Sequence, residues 1–353
     1  MNPCGKKDKM RKISHVMSPR ILFTVVLGVV LIGILMLHNR AFSHMAIWRI
    51  VESDRVSDFY WAPADAPAQF TFQNSESIPG IFKHAIEPFL QNDRGSLEEV
   101  MAIARYCMDS AVLEHPQKSL KWGDPESLLK QLQRGAPANC FHRAIIFSTF
   151  LESVGIHSRL WALEGRKFDY NFSHTINEVY VRSMKKWVFF DITADMCAYH
   201  NGTLLSFLEL RELLLGGKKN ALTLQSIGGG VKDAHFFAHY KKLVPCVFLR
   251  TRNDFVNKYR ARYGMLTGIG SCFDWLPNSA RVGLEYFLGG YDVFMHYVDP
   301  YNKTLKAESV FIKSYFYCML IVFVVLLGMW WGRILRVGGR GKVQKYGQRE
   351  GSV

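Results

Sequence analysis

The chain has 353 residues and a formal net charge of +14, long enough for one or two domains with a buried core. The charge is concentrated at the ends. Lys6, Lys7, Lys9, Arg11, Lys12 and Arg20 stand against Asp8, and Arg333, Arg336, Arg340, Lys342, Lys345 and Arg349 against Glu350, so each tail carries +5 and the region between only +4. Basicity confined to two short tails, with no aromatic–basic stacking motif, argues against a nucleic-acid-binding surface.

Residues 1–20 form the first basic tail. The uncharged apolar run Ile21–Leu37 after it is a candidate membrane-spanning helix at the short end of the usual length. Within lipid only a helix satisfies every backbone polar group of such a run. A cleaved signal peptide competes with this reading through Ala41-Phe42-Ser43, but His38-Asn39-Arg40 lacks small residues and the run exceeds a usual signal core, so an uncleaved anchor is preferred. Residues 38–95 read as a membrane-proximal linker region, where Pro63, Pro67 and Pro79 interrupt a mixture of aromatic and polar residues. Ser96 and Glu99 make a capping box for a helix over about 96–110, and Asp124-Pro125 opens another that runs to Gly135.

Asn139 can cap a third helix, in which Ile145, Ile146, Phe150, Leu151 and Val154 recur at helical spacing until Gly155 stops the run. Cys140 then falls in the first turn, where unpaired N–H groups and the positive end of the helix dipole favour a thiolate. Beyond Gly155 the period changes. Ile156–Leu163, Ser173–Val181 and Lys186–Ile192 are rich in Val, Ile, Phe, Tyr and Trp and read as strands, the last two as an antiparallel hairpin about the turn Arg182–Lys185. His174 lies near the start of one strand and Asp191 near the end of the other. His174 is farther from the turn, so their meeting requires a diagonal contact or a bulge. A thiol, an imidazole and a carboxylate in this order are the parts of a nucleophile, its base and its orienting acid.

The stretch Asn139–Arg159, followed by Ser173–Val181 and Lys185–Thr193, resembles the catalytic core of the transglutaminase-like superfamily, particularly its bacterial members. The matching residues are Cys140 with Ala144, the Gly155-Ile156 step with Arg159, His174 with Glu178 and Tyr180, and Trp187 before Asp191 and Thr193. The resemblance implies an α+β fold with a papain-like core, a nucleophile-bearing helix packed on an antiparallel sheet. It assigns attack on an acyl carbonyl to Cys140, proton transfer to His174 and orientation of the histidine to Asp191. It spans about Ser96–Thr193, within a core expected at residues 96–200. Ala138, Ile176 and Ile192 depart from the family's commoner Gly, Trp and Pro, and bear on substrate fit more than on the three reactive positions. Trp122, Gln131 and Gln133 stand where related thiol enzymes place a side-chain oxyanion donor, although packing and solvation account for them as well, and the Cys140 N–H is the preferred donor.

Residues 201–314 read as an aromatic-rich C-terminal extension. Thr203–Gly216 carries a wide leucine-rich stripe expected of a helix, and the aromatics of 235–301 suggest a second packed unit. His235 and His239 share a helical spacing but have no third partner spaced to complete a metal site, and neither metal nor cofactor is expected. Residues 315–333 contain a second uncharged apolar run, Tyr315–Trp331, and residues 334–353 form the other basic tail. Basic flanks place both tails in the cytoplasm and the domain between them across the membrane. Cys107, Cys197, Cys246 and Cys272 could supply up to two disulfides there, or serve as small buried apolar groups.

Sequons occur at Asn171, Asn201 and Asn302. A glycan at Asn171 would crowd His174, which favours a bacterial inner membrane with a periplasmic domain over a glycosylating pathway. The expectation is a two-pass, membrane-anchored thiol acyltransferase or hydrolase, with the lipid bilayer and a peptide or other envelope-associated acyl substrate as its partners. A catalytically silent binding or assembly protein in surface polysaccharide or envelope biogenesis is the alternative.

Overall fold

A computed structural model describes residues 49–109, 124–164, 173–217, 222–231, 235–257 and 293–303, together with isolated positions 28, 310, 314, 318, 321, 325, 328 and 329 near the ends. Every sheet and helix below lies in the unit formed by residues 40–309. In chain order the elements are β1 (Arg49–Ser53), α1 (Gly80–Ile86), α2 (Leu97–Asp109), α3 (Pro125–Gln133), α4 (Cys140–Glu152), β2 (Ser158–Glu164), β3 (His174–Val181), β4 (Lys186–Asp191), β5 (Met196–His200), β6 (Thr203–Leu204), α5 (Phe207–Leu215), β7 (Leu222–Gln225), α6 (His235–Leu243), β8 (Cys246–Arg250) and β9 (Val293–Tyr297).

The strands form one sheet in the order β1-β9-β8-β2-β3-β4-β5-β6, with β7 also on β5. Pairing is antiparallel except between β1 and β9. The result is the mixed α+β architecture expected of a transglutaminase-like core. Side chains of successive residues leave a strand on opposite faces, and the core divides accordingly. Val179 and Val181 of β3 and Val188 and Phe190 of β4 pack with α1–α4. Ile176, Trp187 and Phe189 pack on the other face with Phe59, Trp61, α5 and Tyr240 of α6. Helix α4 lies deep among these layers, with His142 and every residue from Ala144 to Glu152 buried. Each large apolar side chain removed from water there contributes about 1.5–3 kcal/mol. The β3–β4 hairpin closes through a 3-10 turn at Arg182–Met184 and Lys185 at φ 48°.

Several expectations are corrected. Residues 49–95 are packed structure: β1 lies on β9, and Phe59, Phe82 and Ile86 are completely buried. The proline-rich composition hid this because β1 is short and its partner is distant in sequence. The described parts of 201–303 complete the same sheet and core, so they are not a second unit. The helix expected from Thr203 begins at Phe207, since Thr203 and Leu204 pair with β5 and Ser206 forms the capping box with Glu209. Cys107, Cys197 and Cys246 are buried and lie outside any disulfide, which removes the two-disulfide reading. Glu99 caps α2 through Gly95 N–H at 2.6 Å and not the Ser96 N–H, while Ser96 Oγ accepts from Glu99 N–H as expected. The runs at 21–37 and 315–333 fall almost entirely outside the described residues, among which no helix is long and apolar enough to cross a membrane.

Candidate active site

Asn139 caps α4 by accepting the His142 N–H at 3.0 Å, while His142 Nδ1 accepts from Asn139 N–H at 3.4 Å. The cap places Cys140 at the first helical position, half-buried, with His174 and the Thr175 backbone near enough to lower its thiol. β3 crosses beneath the same helix, and Asn177 Nδ2 donates to the Ala144 carbonyl at 3.0 Å. The start of the helix and the start of the strand therefore meet at Cys140 and His174.

Asp191 arrives by the hairpin register. Asn177 pairs with Phe190, so the position opposite Asp191 is Ile176 and His174 is its diagonal neighbour on the same face. That contact closes at 2.6 Å between His174 Nε2 and Asp191 Oδ2. Asp191 is completely buried, and its Oδ1 accepts the Thr193 and Ala194 N–H groups at 2.9 Å each. Its Oδ2 also accepts the Tyr240 hydroxyl.

The electrostatics separate charge across the array. Burial pushes the Asp191 carboxyl up, but the charge and hydrogen bond of His174, with the Tyr240 and Ala194 donors, hold it below its usual range. As a carboxylate it is an acceptor only, so the His174 nitrogen facing it carries the proton and Nδ1 is left for the sulfur. Burial pulls His174 down, yet Asp191 and Cys140 together push it up to about 10. Burial likewise pushes Cys140 up, and the His174 hydrogen bond and charge with the Thr175 backbone outweigh it, so the thiol is lowered. A lowered thiol beside a raised imidazole is the direction that favours a thiolate–imidazolium pair. Cys107 is pushed up to about 12 by burial, which the Arg143 charge only partly offsets.

A second buried pair supports the sheet behind this array. Arg159 and Glu178 approach to 2.7 Å with both side chains completely buried. Glu178 also accepts from Trp161 Nε1 and from Phe207 N–H at 2.7 Å, and the Arg159 guanidinium lies over the rings of Trp187 and Trp61 at 4.3 and 4.9 Å. Arg159, Glu178 and Trp187 thus hold together β2, β3, β4 and the start of α5.

Residues 83–192 match the Transglut_core model, the transglutaminase-like superfamily. The transglutaminase-like segment begins in α1 and ends just past Asp191, so it contains Cys140, His174, Asp191 and the Arg159–Glu178 pair. Cysteine-dependent enzymatic activity is frequent in the transglutaminase-like superfamily. No curated protein matches the chain.

Of the other positions considered, Gln131 turns its amide back to Ser127 on its own helix and Gln133 is exposed, while Trp122 and Asn171 lie outside the described residues. Among the described residues no group of three or more His, Cys, Asp or Glu is placed to hold a metal ion. Tyr240 is the site residue that sequence reasoning missed. It lies beyond the transglutaminase-like segment, 49 positions from Asp191, and nothing in its local pattern separates it from the neighbouring aromatics. Asn302 is buried, with Nδ2 donating to the Pro245 and Tyr297 carbonyls at 3.0 and 2.8 Å, so that sequon is engaged in the fold.

Proposed function

We propose that this protein is a thiol acyltransferase or hydrolase in which Cys140, His174 and Asp191 act as nucleophile, acid–base and orienting carboxylate. The observation that carries the reading is the 2.6 Å contact between His174 Nε2 and the buried Asp191 Oδ2, with Cys140 near enough to His174 for the imidazole to lower its thiol. The thiolate attacks an amide or ester carbonyl carbon and forms a C–S bond. The oxyanion faces the Cys140 N–H, which at the first helical position has no intrahelical partner. Collapse breaks the carbonyl bond to the leaving nitrogen or oxygen, which takes the proton from His174. Water or an amine then gives its proton to neutral His174 and attacks the thioester; the C–S bond breaks, restoring thiolate and imidazolium.

The basic tails and apolar runs support a two-pass anchor in a bacterial inner membrane, with both termini cytoplasmic and this domain outside. That location favours a peptide or other envelope-associated acyl substrate. The test is incubation of full-length protein in membranes with envelope extract and a biotinylated primary amine, beside Cys140→Ala and His174→Ala. The expected result is amine incorporation or release of a hydrolysed product that both substitutions abolish. Product formation unchanged in Cys140→Ala, or no product in any sample, overturns the reading.

A further inference from the structure

We propose that Tyr240 is a positioning residue of the reactive array, so that the reactivity of Cys140 depends on α6, an element outside the segment that matches the family model. The inference rests on the catalytic reading of Cys140, His174 and Asp191 given above. A completely buried carboxylate is costly unless its lone pairs are met by donors. On Asp191 the two oxygens are served differently. Oδ1 is held by the backbone of the turn that follows β4, whereas Oδ2 receives His174 Nε2 and the Tyr240 hydroxyl.

The phenol is itself fixed. Tyr240 is 1% exposed, and its ring stands edge-on to His174 at 6.1 Å and 88°, and to Phe189 at 5.9 Å and 89°. It therefore touches both members of the imidazole–carboxylate pair, through its oxygen on one and its ring on the other. Burial and the adjacent Asp191 charge raise its pKa well above the ordinary phenol value, so it remains a donor throughout the working range. The titratable groups facing Asp191 are His174 from β3, Cys140 from α4 and Tyr240 from α6. Of these, Tyr240 alone donates to the carboxylate without itself changing charge. Its effect is to keep Asp191 ionised and turned toward His174, which in turn keeps the imidazolium beside the thiolate.

The test uses full-length protein and the rate of Cys140 alkylation by iodoacetamide across pH, followed by mass spectrometry. Tyr240→Phe retains the ring and removes the donor. A lost hydrogen bond to a charged group moves the acid limb upward by about one to two pH units, which is about ten- to a hundredfold in rate at pH values along that limb. Leu214→Ala, which opens the same core at a distance, lowers the melting temperature and leaves the limb in place. If Tyr240→Phe does not fold, 3-fluorotyrosine at position 240 supplies a stronger donor and should shift the limb downward. An unshifted limb in whichever Tyr240 variant folds overturns the proposal. If His174→Ala shifts the profile and Tyr240→Phe does not, only the role of Tyr240 fails. If His174→Ala also leaves the profile unchanged, the catalytic reading fails with it.

Discussion

Removing the imidazole from His174 isolates the interaction on which the proposed reactivity of Cys140 depends. In the native array burial raises the thiol from its ordinary value of 9.0, and the hydrogen bond and charge of His174 reverse that shift. In His174→Ala the Thr175 N–H is the remaining lowering contact, while burial and the Asp191 charge both oppose ionisation. A hydrogen bond to a charged group is worth about 1.5–3 kcal/mol, and each 1.36 kcal/mol is one pKa unit. Thiolate at pH 7 should therefore fall by about 10- to 150-fold. The assay is the rate of iodoacetamide labelling of Cys140, with Cys107 as the internal reference because burial holds its pKa near about 12. Wild-type Cys140 should label much faster than Cys107, and His174→Ala should lose most of that advantage. A substituted protein that labels within twofold of wild type would refute the ion-pair argument.

Other outcomes test the surrounding framework. Glu178→Ala leaves Arg159 buried and uncompensated, which should cost about 3–5 kcal/mol and lower the melting temperature by roughly 6–20 °C; a loss under 2 °C would contradict the role given to that pair. Glu164, 8% exposed at the end of β2, is pushed by burial to about 8 from 4.5. A carboxyl raised on folding carries no penalty below about pH 4.5 and an increasing one as pH rises to about 8. Glu164→Gln should thus match wild type near pH 4.5 and exceed it at pH 9 by on the order of 5 kcal/mol, and a pH-independent difference in denaturant melts would count against this assignment. Reporter fusions after Arg333 should give signal only with a cytoplasmic reporter, and an external signal would reverse the proposed topology.

Local signals made the centre of the site readable. Asn139 before an apolar helical run marks where Cys140 sits, and the two strands about Arg182–Lys185 set the register that makes His174 and Asp191 diagonal neighbours. The residues that escaped are joined across long stretches of chain. β1 pairs with β9, more than two hundred positions away, so Pro-rich composition dominated the reading of 49–95. Ser206 and Glu209 form a capping box that the leucine stripe obscured, and the two residues before it were drawn into the sheet by pairing with β5. Tyr240 meets Asp191 only because α6 packs on the His174 face of the sheet, and no periodicity encodes that contact.

The most direct measurement is the intact mass of wild-type and Cys140→Ala protein after brief exposure to a reactive acyl ester, with peptide mapping and hydroxylamine treatment. A wild-type adduct located on Cys140, discharged by hydroxylamine and missing from Cys140→Ala, is the predicted result. No adduct on wild type, or one that persists when Cys140 is replaced, would contradict nucleophilic catalysis by this thiol.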